Sequence, residues 1–251
     1  MFKALEIAAS GMASEQVAMN TVANNMANTN TVGFKSSQVR FEELLSSQES
    51  DGTLSATGVG VAGTQRDLSQ GALTATGQTW DLAISGSGYF PVIDANGREA
   101  YTRAGSFHVD SEGHIVNPNG LALAAGITVP TGAQNVQVGQ DGTVQALLPG
   151  NSQSVVLGKI DLVGFADEQG LTDRGNGLFD QNDASGPPLR QGAASNALQL
   201  GSIQQGALEG SNVNMVQEMV DMINTQRAYE TGAKVITAAD EMLGYANSLR
   251  R

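Results

Sequence analysis

The chain contains no cysteine, which rules out disulfides, thiolate metal sites and cysteine nucleophiles. Histidine is nearly missing as well, with only His108 and His114. Aromatic residues make up 5% and include one tryptophan, so a core must rest on Val, Leu, Ile, Ala and Met. No apolar run approaches the ~18 residues that a membrane-spanning helix needs, and no membrane insertion is expected. A weakly apolar stretch follows Lys3, but Glu6 interrupts it. A secretory leader needs an unbroken apolar run of roughly 7–15 residues, so any export is expected to proceed without a cleaved leader.

Positive charge is scarce too: 13 basic residues face 25 acidic ones, for a net charge of −12. With no basic stripe to neutralise phosphates, a nucleic-acid partner is disfavoured. The deficit is uneven. Residues 46–210 carry 6 basic and 16 acidic side chains, residues 1–45 carry 3 and 4, and residues 211–251 carry 4 and 5. Nearly neutral ends suit packing, and an acidic middle suits solvation. Most of the 31 glycines also lie in the middle.

Both glycine-poor ends carry apolar residues at helical spacing. Leu5, Met12, Met19 and Met26 recur every seven residues until Asn28-Thr-Asn-Thr and Gly33 stop the helix. Gly11 lies inside this run at a cost of ~1 kcal/mol relative to alanine, either as a tolerated weakness or as a point of close helix contact. At the other end, Asn214 is the expected N-cap. Met215, Met222, Tyr229, Ile236 and Leu243 then repeat at seven-residue intervals, with Val216, Met219, Val220 and Ile223 expected to broaden that face. Two such stripes predict helices that pair as a coiled coil; two ordinary core helices of a monomer are the plainer alternative.

The middle reads as strands and turns. Tyr89–Ile93 and Ala100–Arg103 flank an Asn-Gly turn, residues 106–110 and 114–116 flank Ser111-Glu-Gly113, and residues 135–138 and 143–147 flank Gln140-Asp-Gly142. The predicted fold is mixed α and β, with N- and C-terminal amphipathic helices and a central antiparallel β-rich domain. The expected divisions are 1–35 for the first helix, 36–67 for a linker or extended connecting region, 68–205 for the β domain and 206–251 for the last helix.

Chemistry is hard to find. Gly58-Val-Gly-Val-Ala-Gly63 has dinucleotide-loop spacing, but no buried strand precedes it and no helix follows. The two histidines would need further ligands to hold zinc. The Asp-x-x-Gly turns lack the ligand series of a calcium loop. No catalytic, cofactor-binding or metal residue is assigned, no cofactor is expected, and the chain does not read as an enzyme.

Residues 23–35, Ala-Asn-Asn-Met-Ala-Asn-Thr-Asn-Thr-Val-Gly-Phe-Lys, resemble the N-terminal signature of the bacterial flagellar rod and hook proteins. Ser211-Asn-Val-Asn214 and Met219–Glu230 resemble their C-terminal signature, and residues 81–90 and 100–107 resemble their β domain. The signature positions are Asn24, Asn25, Asn28, Gly33, Phe34, Lys35, Ser211, Asn212, Val213, Gln226, Arg227, Tyr229 and Glu230. Residues 41–45 and the overall length fit the distal members of the rod; residues 234–236 and 240–242 are similar to proximal members. The resemblance implies a self-assembling subunit of a hollow helical shaft that spans the periplasm and carries torque to the hook. Its implied partners are copies of itself, other rod proteins, the hook protein and the L and P bushing rings. It further implies that Asn24, Asn25 and Asn28 satisfy backbone groups where the helix ends. A periplasmic glycan-binding or enzymatic β domain is the alternative from a different class.

Overall fold

The computed structural model describes residues 2–47, 54–94, 96–150, 153–190 and 200–248. The chain divides into two units, which combine helices from both chain ends with a central antiparallel β-rich region. The terminal unit gathers Met1–Thr29, Ser36–Asp67 and Val213–Arg251. The body gathers Asn30–Lys35 and Leu68–Asn212.

In the terminal unit, helix α1 spans Phe2–Ala27, and the chain continues into strands β1 (Ser37–Ser47) and β2 (Leu54–Arg66). Helix α2 spans Met215–Ser248. Residues 36–67, expected as an extended connection, are thus largely an antiparallel pair, with register shifts at Arg40/Phe41 and Leu44/Leu45. Residues 48–53, part of the expected loop, lie outside the described residues. α1 packs against both α2 and the hairpin. Ser14 is buried and donates from Oγ to the Val59 carbonyl at 3.2 Å. Asn214 caps α2: its Oδ1 accepts from the amides of Val216 at 3.1 Å and Gln217 at 3.3 Å, filling two of the donors a helix start leaves open.

The helices approach closely at Gly232 of α2, not at Gly11. A Cβ on Gly232 would lie 2.7 Å from Met12 Cγ, whereas one on Gly11 would meet nothing within 4 Å.

The body is built on a seven-stranded antiparallel sheet. Its spatial order is Thr172–Gly175, Leu178–Asp180, Glu99–Thr102, Phe90–Ile93, Ala122–Leu123, Ile115–Val116 and His108–Val109. Gln134–Val138, Thr143–Leu147 and Ser154–Lys159 form a second sheet. The predicted hairpins at 94–97 and 140–142 are present in these sheets. The last strands return to the first ones: Ser202–Gln205 pairs with Leu82–Ser85, and Ala207–Glu209 with Leu73–Ala75. Between them lies an aliphatic core of Leu82, Ile84, Phe90, Val92, Ile160, Leu162 and Ile203. A separate aromatic cluster packs Tyr89, Tyr101, Phe165 and Phe179 edge to face, with Tyr101 and Phe165 centroids 4.8 Å apart.

Replacing Gly11 with alanine should raise terminal-unit stability by about 1 kcal/mol, because the helix gains propensity and nothing is displaced. Gly232→Ala should give a smaller gain or a loss, since Met12 has to move aside. Thermal melts of the helical circular-dichroism signal measure both.

Candidate functional site

The residues that looked nearest to chemistry have structural duties. Gly58–Gly63 lies inside β2, and a Cβ on Gly58 would sit 2.1 Å from Ser10 Oγ. Gly58 lets the strand press against α1, and none of the three glycines opens a helix over a pyrophosphate. His108 faces Val116 across its hairpin, while His114 Nδ1 lies 3.6 Å from Asp110 and 3.7 Å from Glu112. Asp110 Oδ1 accepts from the amides of His114 and Glu112 at 2.8 and 2.9 Å, and these bonds hold its carboxyl below the usual range. Asp141 is lowered in the same way, first by the Thr143 hydroxyl and then by its amide. These acids are engaged by their own turns. An open groove of about 650 Å³ on the body is bordered by Trp80, Asp81, Phe107 and His108, and Asp81 there accepts from Thr76 Oγ1 at 2.6 Å.

The stripe residues fall into two groups. Leu5, Met12, Met19 and Met26 of α1 are half-buried, as are Met222 and Ile236 of α2. Met215 and Tyr229 are each 38% exposed, and the Leu243 side chain lies outside the described ones. Val216, Met219, Val220 and Ile223 do not widen this face. They stand 71%, 51%, 46% and 50% exposed, because at 3.6 residues per turn they lie roughly a sixth to a half of a turn round the helix from Met222 and Ile236. Met242 and Tyr245, further along α2, are also exposed.

The signature asparagines do different things. Asn28 donates from Nδ2 to the Asn24 carbonyl at 2.9 Å and to Asn24 Oδ1 at 3.2 Å, at the end of α1. Asn25 is buried and reaches instead to β1. Its Oδ1 accepts from Ser37 N at 3.0 Å, while its Nδ2 donates to Ser37 O at 2.9 Å and to Glu218 Oε1 of α2 at 3.0 Å. One amide therefore pairs with a strand residue as another strand would, and ties in the second helix. Gln226 donates to Glu230 Oε1 at 3.4 Å along the exposed side of α2, where Arg227 is also exposed.

In the body several further signature residues converge. Lys35 Nζ lies 2.7 Å from Glu209 Oε1, and Arg103 Nη1 lies 3.1 Å from Glu209 Oε2. All three side chains are 4% exposed or less. Lys35 also donates to the Ser69 carbonyl at 2.7 Å, Gly71 N donates to Glu209 Oε1 at 3.0 Å, and Gly33 N to the Glu209 carbonyl at 2.8 Å. Gly33 has φ +70°, and a Cβ there would meet the Ala104 amide nitrogen at 2.7 Å, so glycine is required twice over. Asn212 donates to the Ser69 carbonyl and hydroxyl, both at 3.2 Å, and its amide to the Phe34 carbonyl at 3.4 Å. Ser211 and Val213, to either side of it, are half-buried.

The sequence marks Lys35 only as a signature position and gives no sign that its two companions join it. Arg103 was read only as part of a β motif, and Glu209 was not singled out. The available signal was a carboxylate in the short strand Ala207-Leu-Glu209 between two glycines, where a solvated strand would leave it exposed. An exposure of 0% shows that it is not.

Burial raises the Glu218 carboxyl above its usual range, the Asn25 hydrogen bond opposes this, and Asp221 adds to the rise. A carboxyl with a raised folded pKa contributes stability while protonated, and this is lost as pH rises through that pKa. The terminal unit should therefore become more stable as pH falls through the window just above the ordinary carboxylate range. Glu218→Gln, which keeps an acceptor for Asn25, should flatten that dependence in helix melts taken across pH.

Three families match the chain in order: "Flagella basal body rod protein" over residues 5–35, "Flagellar hook protein FlgE/F/G D1 domain" over 83–146 and "Flagellar basal body rod FlgEFG protein C-terminal" over 204–249. Lys35, Arg103 and Glu209 fall one in each. The chain is 40% identical to the flagellar basal-body rod protein FlgG of Caulobacter vibrioides, covering 99% of both chains. It is 36% identical to that of Bacillus subtilis, covering 100% of both. Against the rod protein FlgF of the same Caulobacter strain it is 35% identical, over 89% of this chain and 88% of that one. With full-length likeness added to three ordered matches, the chain belongs to the flagellar basal-body rod protein family, whose members are structural and not enzymes.

Proposed function

We propose that this protein is a subunit of the distal part of the flagellar rod, assembling through its terminal helices into a hollow helical shaft that passes torque to the hook. The observation that carries the assembly reading is the exposed apolar surface of α2: Val216, Met219, Val220, Ile223, Met242 and Tyr245 stand in water in a single copy. An exposed apolar cluster of this kind, densest at residues 216–223, marks a contact surface. Coiled-coil packing of α1 with α2, and of these helices with those of other copies, would cover it. Higher identity to FlgG than to FlgF within one Caulobacter strain favours the distal over the proximal rod. Axial contacts with other rod proteins and the hook protein, rotation inside the L and P rings, and a position across the periplasm complete the proposal. Among the described residues no helix is long and apolar enough to cross a membrane.

Val220→Glu places a carboxylate in a contact repeated in every subunit, at a cost of several kcal/mol per site if it stays unpaired. The variant should keep a folded body, form no tubes by electron microscopy and leave cells non-motile. Normal swimming would show that this face is not an assembly contact.

The acidic body should keep neighbouring copies from relying on charge attraction, since screening acts over ~8 Å at physiological salt. Raising salt moderately should leave assembly unchanged or improve it, as followed by light scattering. A sharp loss would mean that ion pairs hold the copies together.

A further inference from the structure

We infer that Glu209 is a closing latch: the β body cannot complete its fold until the last strand of the chain delivers this carboxylate to Lys35, Gly71 and Arg103. Lys35 and Arg103 come from early in the chain, 174 and 106 residues before Glu209. Their side chains are 3% and 4% exposed, so closing the body around them removes two cations from water. Arg103 Nε has no hydrogen-bond partner among the described residues, and its guanidinium lies 5.4 Å from the Tyr89 ring centroid. Without Glu209 that cation would be buried against an aromatic face with no counter-charge, which is far costlier than burial of a matched pair.

The same chain end supplies the missing strands. Ser202–Gln205 lies along Leu82–Ser85, where Ile203 at 1% exposure seals Leu82 and Ile84 at 0%. Ala207–Glu209 lies along Leu73–Ala75, and the Glu209 carbonyl accepts from Gly33. Counter-charge and closing strands therefore arrive together, as highly non-local contacts in the body. A chain that emerges N-terminus first is held open by its unmatched cations, and closes in one step once residue 209 is free. An ordinary stabilising residue would lower stability when removed but would not set the order of closure.

Pulse-labelled hydrogen exchange during refolding of the full-length protein separates the two. Amides of Phe90–Ile93 and Glu99–Thr102 make no strand pairs with residues 202–209, yet in the native sequence they should gain protection at the same rate as Ala207–Glu209. The triple variant Lys35→Met, Arg103→Met, Glu209→Met removes the charges while filling the space. It should fold, with Phe90–Ile93 protected at least tenfold sooner than Ala207–Glu209. Glu209→Gln alone should expose the Phe90–Ile93 amides at least about a hundredfold more at equilibrium, as expected for a broken buried pair. Native-like protection in Glu209→Gln would overturn the proposal. So would early protection of Phe90–Ile93 in the native sequence, or unchanged simultaneous closure in the triple variant.

Discussion

The body of this protein depends on one buried carboxylate. Glu209 accepts hydrogen bonds from Lys35, Gly71 and Arg103 through its side chain and from Gly33 through its carbonyl. Buried ion groups seldom outdo a well-packed apolar core in net stability. What this one supplies is selection among arrangements. Four segments distant in the chain must meet in one register, because any other leaves a cation or a carboxylate buried alone.

The terminal unit obeys different physics. Its helices meet through methionines and small residues, with Gly232 leaving room for Met12, and its polar anchors are few and specific. Asn25 is the clearest of them, joining α1 to Ser37 and Glu218 with a single amide. The unit leaves apolar surface uncovered on α2, which a solitary globular domain would bury. A closed core in the body and exposed apolar side chains on α2 suit a subunit in a family of flagellar rod components.

Much of this was legible in the residues. The helical ends, the antiparallel middle and several hairpins follow from periods of 3.6 and 2 and from Asp, Asn and Gly at turns, all of which are local. Gly58–Gly63 could be discounted as a nucleotide loop because no helix follows it, although a strand, β2, runs through it. The pairing of residues 37–47 with 54–66 was less visible, since polar side chains and glycines dilute the alternation that marks a strand.

Local pattern by itself determined which stretches are helix or strand, where many turns fall, how charge is divided along the chain, and that cysteine chemistry is absent. Tertiary structure alone decided which face of α2 meets α1 and which faces water, because a helix broad in apolar residues has more than one candidate face. It also decided that Asn25 bonds to a strand and that Lys35, Arg103 and Glu209 share one buried site. A charge carries no mark of its burial in sequence; that depends on partners more than a hundred residues away.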